Sequence, residues 1–135
     1  MFKLKRIISS GVNVPEPELL TLMPNTYSEA GSVLTMSEDG LLTVGSATTK
    51  PTHVLIATAN KGDERALCYR ISPNMIFETS LYGDPEYLYE GAIVTLYNNK
   101  NGFMLVTDNT EGGVATVYDM MGAKKTGDSL LVVFN

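Results

Sequence analysis

The side chains best suited to chemistry in this sequence are a single histidine, His53, and a single cysteine, Cys68. A zinc site needs further cysteine or histidine ligands at suitable spacing, and the sequence has none. A Ser-His-Asp or Cys-His pair is formally possible, but no Gly-x-Ser-x-Gly elbow supports it. Cys68 lies in a run that alternates like a β-strand, where a packed thiol is expected rather than a reactive one. The sequence therefore predicts no catalytic residue at either position.

Carboxylates gather at Glu38-Asp39 and within Asp84–Glu90. Neither group has the ligand spacing of a calcium loop or a recognisable glycosidase pair, and both fit solvated turns. The glycines of Gly112-Gly113 precede a strand pattern, so they lack the helix N-terminus that a phosphate-binding loop requires. We therefore expect no metal, no cofactor and no enzymatic activity.

Composition sets the broad class of the protein. A chain of 135 residues fits one domain with a real core, and its net charge of −5 argues against non-specific nucleic-acid binding. One cysteine cannot form an internal disulfide, so the fold needs no oxidising compartment. The apolar run after Arg6 is too short for a secretory signal, and no run approaches a transmembrane helix. We expect a protein made in a cytoplasm, with no membrane contact and no direct contact with nucleic acid.

The elements that position these side chains are predicted to be β-strands. Two hairpins are indicated, one joining Val33–Met36 to Leu41–Val44 and one joining Gly91–Leu96 to Phe103–Thr107, each across a turn that contains glycine. Further strand-like runs are Leu19–Met23, His53–Thr58, Arg65–Ile71, Met75–Thr79, Val114–Tyr118 and Leu130–Phe134. Turns about every ten residues favour an all-β fold, a small antiparallel β-barrel or sandwich. One short helical turn is expected after the N-cap residue Asp84.

The first eighteen residues differ from the rest and are predicted to form an extended N-terminal arm, 1–18, before a single β-rich domain, 19–135. Pro15 and Pro17 enforce extended backbone around them. The basic side chains of Lys3, Lys5 and Arg6 alternate with apolar ones. Two interpretations remain open: a loosely ordered terminus, or an arm that lies on a neighbouring chain.

Two exposed-looking clusters could contact a partner. Tyr82, Tyr87 and Tyr89 surround the Asp84 turn, where aromatic side chains anchor an interface or complete the core. The neighbouring carboxylates disfavour a phosphate backbone as the partner. The pair Met120-Met121 lies in a predicted turn, where methionines either adapt to a partner surface or fold back over the end of the barrel.

Several segments of the sequence, taken in order, resemble the small capsid decoration (cement) proteins of tailed bacteriophages. The resemblance covers most of the chain and consists of the extended arm followed by Ala30-Gly31-Ser-Val-Leu34, Asp39-Gly40-Leu-Leu-Thr-Val44, Val54-Leu-Ile-Ala57, Glu90-Gly91-Ala-Ile-Val94 and Thr126-Gly127-Asp-Ser-Leu-Leu-Val-Val133. It implies a virion protein, made in the bacterial host cytoplasm, that lies on the outside of the head. Such proteins bind the major capsid protein and often form trimers, so self-association is expected, with a trimer favoured and a dimer possible.

The resemblance also implies a mechanical role, in which each copy bridges capsid protein subunits and stabilises the shell. Apolar side chains of the arm would then anchor in capsid grooves while its basic side chains pair with acidic shell patches. The expected partner-binding residues are Phe2, Lys3, Lys5, Arg6, Ile7, Ile8, Tyr82, Tyr87, Met120 and Met121. The alternative is a small β-barrel module that binds a ligand or protein through the Tyr82–Tyr89 loop and has no capsid role.

Overall fold

The computed structural model describes residues 1–8 and 15–135 of the chain. These residues form twelve strands and one 3₁₀ turn, Pro85–Tyr87. The strands are β1 (Lys3–Ile7), β2 (Glu18–Thr21), β3 (Val33–Met36), β4 (Leu42–Thr43), β5 (His53–Leu55), β6 (Arg65–Arg70), β7 (Met75–Tyr82), β8 (Ile93–Val94), β9 (Leu96–Asn98), β10 (Phe103–Thr107), β11 (Ala115–Asp119) and β12 (Ser129–Phe134). The prediction of an all-β fold with at most one short helical turn is confirmed.

The strands follow one path in the order β2-β6-β5-β3-β10-β7-β12-β11-β8. Three further strands attach beside this path, β1 on β7, β4 on β3 and β9 on β10. All pairs are antiparallel except β10 with β7, which run parallel at Val106 and Leu81. Within the described ranges no pairing joins β2 to β8, so the sheet is not closed.

Two apolar clusters lie on opposite faces of the central strands. Val33 of β3 and Val54 of β5 pair with each other and face the larger cluster. Their neighbours Leu34 and Leu55 face the smaller one. Because successive side chains of a strand alternate between faces, a strand covered on both sides carries an unbroken apolar run. The prediction that the strand beginning at His53 is covered on both faces is therefore confirmed over His53–Leu55.

Two predicted strands have different limits in the structure. The first hairpin forms as expected, with β3 paired to β4. The second does not form as one unit, because the run Gly91–Leu96 divides at Thr95 between two partners. On one side of Thr95 β8 pairs with β11, and on the other β9 pairs with β10. The predicted strand His53–Thr58 ends early at Leu55, where the chain bends so that Ala59 can pair with Ser28.

The leading segment is extended but does not stand apart from the domain. Residues 3–7 form β1, which pairs antiparallel with β7. The side chain of Phe2 is only 2% exposed, and its ring centre lies 6.5 Å from that of Phe77 and 5.1 Å from that of Phe134. The expectation that Phe2 anchors in a partner is thus corrected, because its ring fills the core of its own chain. The middle of the predicted arm, residues 9–14, lies outside the described residues.

Removal of the Phe2 ring should strongly destabilise the fold. We expect Phe2→Ala to lower the free energy of unfolding by about 3–5 kcal/mol, because it loses apolar burial and leaves a cavity beside two aromatic rings. Urea denaturation followed by circular dichroism measures this difference. Tyr87→Ala is the matched control: Tyr87 is 71% exposed, so its loss should change the stability by less than about 0.5 kcal/mol. Equal stabilities of the two variants would contradict the assignment of Phe2 to the core.

Candidate interaction surface

The histidine lies in the sheet, on the face of the smaller apolar cluster. His53 pairs with Arg70 across β5 and β6, and its side chain is buried. Its Nδ1 atom lies 2.8 Å from the hydroxyl oxygen of Thr52. Its Nε2 atom has no hydrogen-bond partner within the described part of the chain and lies 3.9 Å from a carboxylate oxygen of Glu18. Burial, followed by the charge of Arg70, lowers the pKa of His53, while Glu18 acts in the opposite direction.

The cysteine lies on β6, the strand next to that of the histidine, and its thiol is unreactive. Cys68 is fully buried, and its thiol points towards the backbone carbonyl oxygen of Glu18 at 3.7 Å. Burial and, to a lesser extent, Glu18 raise the pKa of this thiol to about 11. Since the thiolate is the reactive form, the thiol is unreactive near neutral pH. The predicted packed thiol is confirmed.

The described part of the chain contains neither a set of metal ligands nor a membrane-spanning helix. Over residues 1–8 and 15–135, no three side chains of histidine, cysteine, aspartate or glutamate come together as a metal site would require. Over the same ranges, no helix has the length and apolar character needed to cross a bilayer.

The basic residues of β1 lie on the outer face of the sheet and contact their own chain. Lys3 pairs with Glu78 in the strand register, and the ammonium group of Lys5 lies 3.8 Å from a carboxylate oxygen of the same glutamate. Exposed pairs of this kind contribute little to stability, so these lysines remain accessible to a partner. Ile7 packs against the larger cluster, whereas Ile8 is exposed. Of the apolar side chains expected to anchor in a partner from this segment, only Ile8 is thus free to do so.

Arg6 reaches across the outer face to a strand near the other edge. Its guanidinium donates a hydrogen bond of 2.7 Å to the Tyr118 hydroxyl, and its central carbon lies 5.6 Å from the centre of the Tyr118 ring. Arg6 pairs with Ile76 of β7, which is fully buried although it lies on this outer face. The Arg6–Tyr118 contact therefore connects β1 with β11, and Arg6 holds Tyr118 in a fixed position.

The tyrosines around the helical turn differ in their surroundings. Asp84 caps the turn, because its carboxylate accepts a hydrogen bond of 2.9 Å from the backbone N–H of Glu86. Tyr82, just before the turn, stacks on Tyr97 with a distance of 4.0 Å between ring centres. The Tyr97 hydroxyl donates a hydrogen bond to Tyr82, which stabilises its neutral form and raises the pKa of Tyr97. Tyr87 and Tyr89 both project into solvent, so the predicted cluster consists of one stacked ring and two free rings.

The two methionines separate in the structure. Met120 packs against the larger apolar cluster. This agrees with the interpretation in which the methionines fold back over their own domain rather than contact a partner. Met121 is exposed at a left-handed backbone position with a φ of 52°, and its backbone N–H is bonded to the Asp119 carboxylate at 2.8 Å. Met120 is therefore part of the core, whereas Met121 is available to a partner.

Exposed apolar side chains also occur at both ends of the strand order, which sequence reasoning missed. At one end, Ile93 of β8 is 45% exposed and lies on the same face as Tyr118 of β11. At the other, Leu19 of β2 is 58% exposed and pairs with the exposed Leu67 of β6. We call these the β8 edge surface and the β2 edge surface. Neighbouring exposed apolar side chains at a sheet edge, such as Leu19 and Leu67, are typical of interaction sites.

Protonation of His53 should weaken the fold. Its pKa in the folded protein is lowered by burial, so the unfolded chain, with a pKa near 6.5, binds the proton first as the pH falls. The stabilising effect of a neutral His53 is therefore complete above about pH 6.5 and is lost below it, by at most about 1.4 kcal/mol per pH unit. Urea denaturation of the protein and of His53→Gln between about pH 8 and pH 5 measures this. Parallel pH curves for the two proteins would refute the assignment.

Comparison with known proteins identifies no family for this chain. No family model matches the chain. No curated protein is significantly similar to it in sequence. The functional conclusion therefore depends on the residues and contacts described above.

Proposed function

We propose that this chain is a structural virion protein that binds the outer surface of a phage head and stabilises the capsid by bridging major capsid protein subunits. The observation that carries the proposal is the presence of exposed apolar side chains on both edge strands, Leu19 on β2 and Ile93 on β8. A bridging protein needs two separate contact surfaces, and these two strands stand at opposite ends of the strand order. The resemblance to decoration proteins supplies the class of partner.

The ordered strands behind the two surfaces support this role. Tyr118, beside the β8 edge surface, accepts a hydrogen bond from Arg6. At the β2 edge surface, four consecutive residue pairs join β2 to β6. Because an ordered backbone has little conformational freedom to lose on binding, a smaller part of the free energy gained from apolar burial is offset by ordering.

Charge supports specificity rather than affinity in this proposal. The chain has a net charge of −5, while Lys3 and Lys5 place basic groups on the outer face of β1. A partner with acidic patches near apolar grooves would be steered towards this face, and its binding would weaken at high salt. The proposed partner is the major capsid protein on the head exterior. The proposed assembly is a trimer, with a dimer as the alternative, and synthesis takes place in the bacterial host cytoplasm.

Quantitative mass spectrometry on density-banded virus particles from the source culture tests the proposal directly. We expect the chain at a fixed ratio to the dominant shell protein, because every copy occupies a defined capsid position. If it is absent from particles but abundant in soluble lysate, the capsid role is wrong. The alternative, a ligand- or protein-binding module that uses the Tyr82–Tyr89 loop, would then be preferred.

Single substitutions at the two edges test the bridging mechanism. We expect Leu19→Ser and Ile93→Ser each to lower the copy number per particle by about fivefold or more, since interface anchors typically contribute more than about 1 kcal/mol. Glu38→Ser, in the exposed turn between β3 and β4, is the matched control and should keep the copy number unchanged.

The melting temperatures of the isolated variants separate lost binding from lost folding. All three side chains are exposed, so the three variants should melt close to the unaltered protein. Deletion of residues 2–8 would be a poor test of binding, because it also removes the buried Phe2 ring. Normal copy numbers for both edge variants would refute bridging through these strands.

A further inference from the structure

A cleft of about 290 Å³ opens beside the paired residues His53 and Arg70, at one end of β5 and β6. Its wall is formed by four segments that are separate in sequence: Met36 of β3, residues 50–53, residues 70–73, and the end of β12 with Asn135. The cleft lies at the small end of the range for ligand pockets, so it suits a small group rather than a large one.

Two cationic side chains line this cleft without a partner of their own. Among the described residues, neither Lys50 nor Arg70 has a carboxylate oxygen within 4.0 Å. The chain carries fifteen acidic residues and ten basic ones, yet no acidic side chain among the described residues lines this cleft. Thr52 and Ser72 also line the wall, but the Thr52 hydroxyl is hydrogen-bonded with His53 and the Ser72 hydroxyl donates to Asn74. The two cationic groups are therefore the donors that would recognise an anion with oxygen atoms.

The rest of the wall is apolar and rigid. Ile71, Pro51 and Phe134 line the cleft, and the ring of Phe134 is held by Phe2 and Phe77 in the larger cluster. Inorganic anions gain nothing from such a surface, whereas an organic acid with an apolar body would bury that body against it.

His53 lies in the wall of the cleft and is sensitive to the charge of Arg70. It is buried, its Nδ1 atom is bonded to Thr52, and its Nε2 atom lacks a hydrogen-bond partner in the described part of the chain. Arg70 and Glu18 act on it in opposite directions. An anion that neutralised Arg70 would therefore change the environment of this imidazole, which reports on the cleft from within the fold.

We propose that this cleft binds a carboxylate attached to an apolar group, through Arg70 and Lys50, with the apolar group against Ile71 and Phe134. The carboxylate belongs either to a free small acid or to the C-terminal residue of a peptide, and the recognition chemistry is the same. This site is separate from the two edge surfaces and does not depend on the proposed capsid role.

Nuclear magnetic resonance of the imidazole tests the site, because His53 is the only histidine of the chain and gives one set of ring signals. We would titrate the protein with benzoate, with benzyl alcohol as its neutral counterpart, and with inorganic phosphate, at constant ionic strength. A second arm compares acetyl-Gly-Phe with a free carboxyl terminus and the same peptide as its amide. Saturable shifts with benzoate or the free-carboxyl peptide support the site and identify the better source of the carboxylate.

Two arginines on the same strand provide matched variants. Arg70→Gln should weaken binding of the active probe by about tenfold or more, because a charge-assisted hydrogen bond is lost. Arg65→Gln, at the other end of β6 and also exposed, should change it by less than about twofold. Lys50→Gln provides a second test if Arg70→Gln fails to fold.

Three results would overturn the proposal. The first is the absence of saturable shifts with both carboxylate probes. The second is binding of benzyl alcohol or phosphate as tight as that of benzoate, which would show that the site does not select a carboxylate with an apolar body. The third is equal affinities of the Arg65→Gln and Arg70→Gln variants.

Discussion

The packing of aromatic rings around Phe77 is the constraint on which the rest of the structure depends. Phe2 precedes the first strand, Phe134 closes the last one, and both rings contact Phe77 in the middle of β7. Tyr69 of β6 stacks parallel to the Phe77 ring with 6.4 Å between ring centres, and this contact connects β6 to β7. These contacts connect strands that lie in different parts of the open sheet, whose two ends no strand pairing joins in the described ranges. Phe134 also lines the cleft, so the position of that wall depends on this cluster.

The local sequence pattern predicted most of the strands, but it did not predict which strands pair with each other. The run around His53 and the hairpin of β3 with β4 follow from alternation and turn chemistry, which act over a few residues. The division of Gly91–Leu96 at Thr95 could not be predicted, because it depends on which distant strands lie on either side. The burial of Phe2 had no local signal either, since a short apolar segment beside lysines looks the same whether it docks on another chain or on its own.

The same limit applies to the candidate surfaces. A sequence shows that Leu19 and Ile93 are apolar, but only the strand order shows that β2 and β8 are edges and leave these side chains exposed. The Asp84 turn was predictable because a cap acts within three residues. The cleft was not, since Lys50, Arg70 and Phe134 come from three separate parts of the chain. Residue types alone draw attention to His53 and Cys68, and alternation along β6 predicts the buried thiol that the structure shows at Cys68.

The position of β7 between β1 and β12 has a consequence for synthesis on the ribosome. β7 pairs with β1, which precedes it, and with β12, which lies well downstream, so its second neighbour emerges from the ribosome long after β7 itself. Until then the Phe77 ring lacks Phe134, and one edge of β7 lacks its hydrogen-bond partners. Such an exposed edge is prone to pair with other chains. The sheet around β7 is therefore completed only after β12 has emerged, and its folding yield in a crowded cell depends on how long the nascent chain is shielded until then.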